Sequence, residues 1–590
     1  MKIKLLLLSS LFVLACGAPK EKVQQEFDTF LETYHEDVLR LYRLPATYLG
    51  DTHYNDTLPN YLSKAFVAKE MALLQHYIQG LSTYDAALLR EDQKMSKALL
   101  QWELDRAIEG TAFDKELIPL DQMWSFHLSF GQLASGAGAQ PFETVEDYRN
   151  WLIRVEGYLE WMQSAEENMI EGIQKGWVLP KSLIKKVVPQ LQQMVTPTVE
   201  EHLFYGPIKQ LPESFSATDK AALTTAYRSL IKDKVIPAYE RLHNFMATTY
   251  MEAGRTSSGF NALPNGAAYY QHAIKLYTTT TMTPDEIHQL GLAEVARIRS
   301  EMEKVKATVG FTGDLNAFFE HVRNKPELMP FDDPQQVIDN FNAIYQKVLP
   351  KVNELFSLQP KTPFEVRRTE AFREASASAE YNPGTIDGSR PGIFYVPIRD
   401  VKTYNTHQDE DLFLHEAIPG HHFQISLQQE NTALPSFRKN LWYSAYGEGW
   451  ALYTESLGKE LGLYEDPYQY FGMLAAEMHR AIRLVVDTGL HAKGWTREEA
   501  IAYSLANESE SEVKITSEIE RYMANPAQAL SYKIGQLKII ELRKRATAEL
   551  GEQFDIRKFH EIVLEAGCIP LTLLEDKINA WITNTKKQQS

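Results

Sequence analysis

Apolar residues recur three and four apart through the first half of the chain, and this period excludes most sheet architectures. Phe27, Phe30, Leu31 and Tyr34, and later Leu152, Val155, Leu159 and Met162, each fall on one face of a helix of about 3.6 residues per turn. No comparable strand alternation appears between Lys20 and Tyr250. Short breaks at Leu58-Pro59-Asn60, Leu211-Pro212-Glu213 and Ala253-Gly254-Arg255 punctuate the helices without a low-complexity linker. At Thr283-Pro284-Asp285-Glu286 a helix opens with Thr283 as N-cap and Pro284 in its first turn. The expected class is mostly α: two helical lobes around a deep cleft, with an N-terminal helical region over 16–270 and a catalytic helical domain over 271–590. Gly392-Ile393-Phe394-Tyr395-Val396-Pro397, bounded by Gly and Pro, is the clearest strand signal. It is expected beside the active site, as an edge that could pair with an extended substrate.

The first residues carry a different message. Lys2 and Lys4 precede an apolar stretch from Leu5 to Leu14 that is too short to span a bilayer, and Val13-Leu14-Ala15-Cys16 follows. Residues 1–15 read as a signal peptide, and the segment resembles a bacterial lipobox in which Cys16 is lipidated. Gly17 after the cysteine resembles an outer-membrane address, facing the periplasm in a Gram-negative cell. The expectation is an exported lipoprotein of the cell envelope, held to a membrane by its N-terminal lipid. An ordinary secretory signal with a chance cysteine is the alternative. The only other cysteine is Cys568, so no disulfide can staple the mature chain, and stability must come from a large core, which 590 residues at 44% hydrophobic content can build. The formal charge of −17, about −19 once Lys2 and Lys4 are removed, argues against a nucleic-acid partner.

The chemistry gathers in His415-Glu416-Ala417-Ile418-Pro419-Gly420-His421-His422. Three of sixteen histidines fall in these eight residues, beside a glutamate. Neutral imidazole is a common zinc ligand, and a glutamate next to the first ligand can take a proton from metal-bound water, as in H-E-x-x-H. Here the i+4 position is Pro419, which cannot bind metal. Pro419 also removes the amide that would reach the His415 carbonyl, and Gly420 permits a tight turn, so the helix should kink or bulge. On a continuous helix His422 returns to the face of His415, though about 10.5 Å further along the axis. If the Pro-Gly pair loops out, His421 swings back beneath His415, and this reading favours His421. A third ligand is offered by Ser444-Ala445-Tyr446-Gly447-Glu448-Gly449-Trp450, with Glu448 the expected ligand. Glu455, seven residues on, is then placed to orient a ligand imidazole.

Taken singly, each histidine is more readily a satisfied core or surface residue than a ligand. The grouping favours one zinc per chain, and Glu416 favours a catalytic over a structural ion, since structural zinc is usually closed by four ligands, commonly thiolates. His479, Arg483, Asp487 and His491 step by four along a later helix, a charge ladder in the plain reading. His491, with Tyr522 or Tyr532, is a candidate to steady an oxyanion. Arg390, Arg521 and Lys533, with Tyr395 on the strand, are candidates for holding substrate, against the ordinary role of such side chains in surface ion pairs.

These segments, with Asp487-Thr488-Gly489-Leu490-His491 and Ser531-Tyr532-Lys533-Ile534-Gly535, resemble the bacterial domain-of-unknown-function 885 family across most of the mature chain. Members are often candidate lipoproteins, and the family pattern, H-E-x-x-P-G-H, supports His421. More distantly the chain resembles helical gluzincin peptidases such as thimet oligopeptidase, carboxypeptidase Taq and angiotensin-converting enzyme, which enclose a channel and act on short peptides. That resemblance implies a zinc metallopeptidase with Glu416 as base and peptides as substrates. The alternatives are a zinc amidase or esterase, and a lipid-anchored binding or scaffolding protein with a structural or vestigial metal site.

Overall fold

The computed structural model describes residues 20–587 except 371–373, 375–376 and 386–389. Cys16 and the leader lie outside the described residues. Helices dominate, and their ends follow local chemistry. The Val145–Lys175 helix begins at Thr144, which accepts from the Asp147 amide in a capping box, and ends at Gly176 in the left-handed region with φ 77°. Trp151, Val155, Tyr158 and Met162 are buried along one face of it. The Pro284–Thr308 helix opens as the sequence implies, with Thr283 and Glu286 forming a reciprocal cap.

One large apolar core runs from Phe27 to Ile582, beside a small second cluster of Leu117, Trp177, Phe260 and Leu263, so the N-terminal and C-terminal regions share an interior. The Gly266–Thr278 helix passes through the boundary expected between 270 and 271. The two regions are therefore joined by continuous helix there rather than by a linker. Among the described residues, no helix is long and apolar enough to cross a membrane.

The sheet is small: β1 (Phe364–Arg368), β2 (Glu380–Asn382) and β3 (Gly392–Val396), in the order β1-β3-β2. Strand β3 is parallel to β1, with Val366 opposite Phe394, and antiparallel to β2, with Tyr381 opposite Phe394. This corrects one expectation. The strand read most clearly from sequence is the centre of the sheet, because its apolar run is buried and needs partners on both sides. The edge nearest the candidate site is β2.

Two helix pairs frame that site. The Pro284–Thr308 helix packs along the Pro467–His491 helix, and the Ser444–Glu455 helix along the Ser531–Leu550 helix. The second contact is a backbone-to-backbone approach: a Cβ on Gly449 would lie 2.5 Å from the Gly535 Cα, and one on Gly535 would lie 1.8 Å from the Ala445 carbonyl oxygen. Only glycine at both positions allows the axes to come so close.

Candidate metal centre

The Asp409–Glu416 helix stops just ahead of Pro419, which has no amide to donate, and a new helix, His421–Glu430, starts after a break of four residues. The turn between them is so tight that a Cβ on Gly420 would sit 2.0 Å from the His415 carbonyl oxygen. The Pro-Gly pair is thus looped out. The His421 ring comes beside that of His415, with centroids 4.8 Å apart and planes at 87°. His422 turns the other way: its Nδ1 lies 2.9 Å from the Tyr381 hydroxyl and its ring 5.0 Å from Phe364, and burial lowers its pKa to about 4.

Glu448 meets the two imidazoles from the Ser444–Glu455 helix. Its Oε2 lies 3.6 Å from His415 Nε2 and 3.5 Å from His421 Nε2. One donor atom from each of His415, His421 and Glu448 falls within 4.8 Å of the others. Ligands at about 2.0–2.2 Å from a tetrahedral zinc lie about 3.3–3.6 Å from one another, so donor type and spacing fit that ion. The support is equally specific. Glu455 Oε1 accepts from His415 Nδ1 at 2.7 Å, leaving Nε2 to face the cluster. Trp450 Nε1 donates to the Pro419 carbonyl at 2.8 Å, and Thr454 Oγ1 to the Leu414 carbonyl at 2.9 Å. The glutamate helix therefore grips both sides of the break between the two histidines.

Burial opposes charge on His415, but the bonds to Glu448 and Glu455 outweigh it and lift the ring to about 10. Glu448 is likewise penalised by burial and still held far below the usual carboxylate range by the two imidazoles. Glu416 differs: burial dominates and raises its pKa, although it accepts a hydrogen bond from the Tyr381 backbone. One carboxylate is thus held ionised among the imidazoles, and its neighbour is made more basic.

These groups open onto a cavity of roughly 740 Å³. Edge strand β2 contributes Glu380 and Tyr381, the N-terminal region contributes Met123 and Trp124, and Trp442 lies beside His421 with ring centroids 5.8 Å apart. Trp124 and Trp442 are 60% and 44% exposed, unusual for tryptophan, and form an apolar rim. A second depression of roughly 790 Å³, around Arg40, Lys69 and Glu156, has no histidine or cysteine in its lining.

The remaining sequence candidates divide. Tyr532 lines the cavity, and the charge of Glu448 acts on its phenol, second to burial, in raising its pKa. Arg521 also lines the cavity, but its guanidinium is engaged by Glu518 and Gln528. Tyr522 stands behind the wall: its hydroxyl accepts from Arg483 Nε at 3.0 Å and donates to Glu518 at 2.7 Å. His491 is fully buried, with Nδ1 accepting from the Phe260 amide and Nε2 donating to the Tyr522 carbonyl, so neither nitrogen is left to meet a substrate. Lys533 is also fully buried, paired to Glu477 at 2.6 Å and Glu294 at 3.0 Å. Arg390 is exposed on the loop before β3, and Tyr395 bonds Arg367 across the sheet. The sequence reading passed over Arg480, Trp442 and the β2 edge; Trp442 alone left a signal, in its closeness to Glu448 in the chain.

Comparison with known proteins follows the same lines. The chain has a TM-score of 0.85 and 28% identity to a crystal structure of a candidate lipoprotein from Colwellia psychrerythraea, covering 95% of this chain and 99% of that one. It shares its fold with a candidate lipoprotein of unknown function from Shewanella oneidensis, at TM-score 0.74 and 20% identity, covering 93% and 99%. No curated protein matches it. A family model described as "Bacterial protein of unknown function (DUF885)" matches residues 44–578, nearly the whole described chain, and the protein belongs to that family.

Proposed function

We propose that this protein is a zinc-dependent hydrolase that cleaves short peptides. The observation that carries the reading is the meeting of His415, His421 and Glu448 donors within 4.8 Å at the wall of a large cavity, with Glu416 adjacent. A zinc ion held by these three residues would supply Lewis acidity and bring the pKa of bound water to about 7. The protein's own groups do the rest. Glu416, made more basic by burial, accepts the proton of the attacking water and passes it to the leaving amine. Glu455 holds His415 in the tautomer that directs Nε2 to the cluster. Tyr532 offers a phenolic donor to the developing oxyanion. An extended peptide can lie along the outer edge of β2, with apolar side chains against Trp124 and Trp442.

The same proposal includes its location. The kinship with candidate lipoproteins and the Val13–Cys16 motif support attachment through a lipid on Cys16, and Gly17 supports an outer-membrane site facing the periplasm. Zinc stoichiometry by mass spectrometry, with His415→Ala beside the parent, tests the centre: one zinc per chain, lost in the variant, is expected. Glu416→Gln should keep the zinc and lose peptide hydrolysis. A folded protein that takes up no zinc, or a Glu416→Gln variant with full activity, removes the reading.

A further inference from the structure

The cavity lining carries both signs of charge. Arg480, Arg483, Lys514 and Arg521 line it together with the imidazoles and the carboxylates of Glu416 and Glu448. Most of these cations have a carboxylate partner. Glu518 is shared by Arg483 and Arg521, Glu510 pairs with Lys514, and Glu508 bonds His479. Arg480 acts on Asp411 and Glu510 through its charge but has no carboxylate at contact distance. Among the described residues no carboxylate lies within 4.0 Å of it, its Nε is enclosed without a hydrogen-bond partner, and its Nη1 has only a 3.4 Å contact to the Ala476 carbonyl. Arg483, one turn along the same helix and 7% exposed, also has an enclosed Nη1 without a partner, and its guanidinium lies 4.6 Å from the Tyr532 ring. Enclosed donors are nearly always satisfied in folded proteins, so these two guanidinium groups, both in the cavity lining, keep hydrogen-bonding capacity that the protein's own groups leave unused. Asp411, on the facing helix, has an enclosed Oδ1 without a hydrogen-bond partner; the Arg480 charge acts on it, but from beyond ion-pair distance.

We infer that this wall binds the free C-terminal carboxylate of a peptide, with Arg480 as the cation that meets it and Arg483 reinforcing the field. This deepens the peptidase reading and rests on it for the class of substrate: the protein would act on peptides with a free C-terminus. Guanidinium is suited to the task because its planar fork matches a carboxylate.

The test separates binding from hydrolysis. Zinc-loaded Glu416→Gln protein is titrated calorimetrically with tetra-alanine and with tetra-alanine carboxamide. A preference of about 10- to 100-fold for the free acid is expected, the value of a charge-assisted bond. Adding Arg480→Gln should collapse that ratio towards one, and Arg480→Lys should restore part of it, with zinc content and melting temperature as folding controls. Equal affinity for acid and amide, a preference that survives Arg480→Gln, or no binding of either peptide would each overturn the inference. Hydrolysis of the same peptides by the parent protein is read separately: a free-acid preference without cleavage would keep the carboxylate site and discard the peptidase.

Discussion

Replacing Gly535 by alanine tests how the candidate centre is assembled. The added methyl carbon would stand 1.8 Å from the Ala445 carbonyl oxygen and 2.7 Å from the Gly449 Cα, whereas ordinary contact begins near 3.4 Å. Both obstacles are backbone, so no side chain can turn aside, and the Ser444–Glu455 and Ser531–Leu550 helices must separate by about 1.6 Å at this point. Overpacking of this kind costs about 1–3 kcal/mol, at the upper end when backbone must move. Alanine returns about 1 kcal/mol of helix propensity, leaving a net loss near 2 kcal/mol. Glu448 sits one residue from the Gly449 contact, and metal sites tolerate only about 0.2 Å in ligand distance, so zinc affinity should fall at least about tenfold. Thermal melting of the metal-free protein and zinc titration against a competing chelator measure the two effects. A Gly535→Ala protein with parental melting temperature and parental zinc affinity would refute the argument that this helix contact sets Glu448.

Three further outcomes are expected. Trp450→Phe removes the donor to the Pro419 carbonyl, which then stays buried without a partner at about 1–3 kcal/mol, so chelator competition should show weaker zinc retention and melting a lower midpoint. Lys533→Met removes the fully buried one of two cations that Glu477 and Glu294 share, the other being Arg297, a loss of about 1–3 kcal/mol, and should lower the melting midpoint; a variant with parental melting and only a raised KM would instead return Lys533 to the substrate site. Acid should destabilise the fold below about pH 6.5, because burial depresses His491 and His560 to about 3. Since the unfolded chain binds the extra protons, this stability is fully present above the unfolded pKa of about 6.5 and falls by up to about 1.4 kcal/mol per pH unit for each histidine as pH approaches 3. Denaturant midpoints between pH 7 and 4 measure the slope, and a flat profile would contradict it.

Helical class was legible because periodicity is a local property: Phe27 and Leu31, or Val155 and Met162, bury one face whatever that face meets. The Thr283 cap and the β3 strand were legible for the same reason. The place of β3 within its sheet was not, since nothing in Gly392–Val396 says that β1 and β2 will flank it. Cations were the least legible. Lys533, Arg521 and Arg480 carry the same charge on paper, yet Lys533 is enclosed by two glutamates, Arg521 is engaged by Glu518 and Gln528, and Arg480 faces the cavity without an ion-pair partner.

The sequence by itself determined that the chain is mostly helical, that its imidazoles cluster at 415–422, and that a helix entering Pro419 and Gly420 should kink or bulge there. These follow from spacing and backbone sterics within a few residues. Tertiary structure alone decided that His422 turns to Tyr381, that Glu448 reaches both His415 and His421, and that His491 faces two backbone groups instead of the cavity. Each of those outcomes depends on helices and strands brought together from distant parts of the chain, where packing and hydrogen-bond satisfaction choose among side chains that the local pattern leaves equivalent.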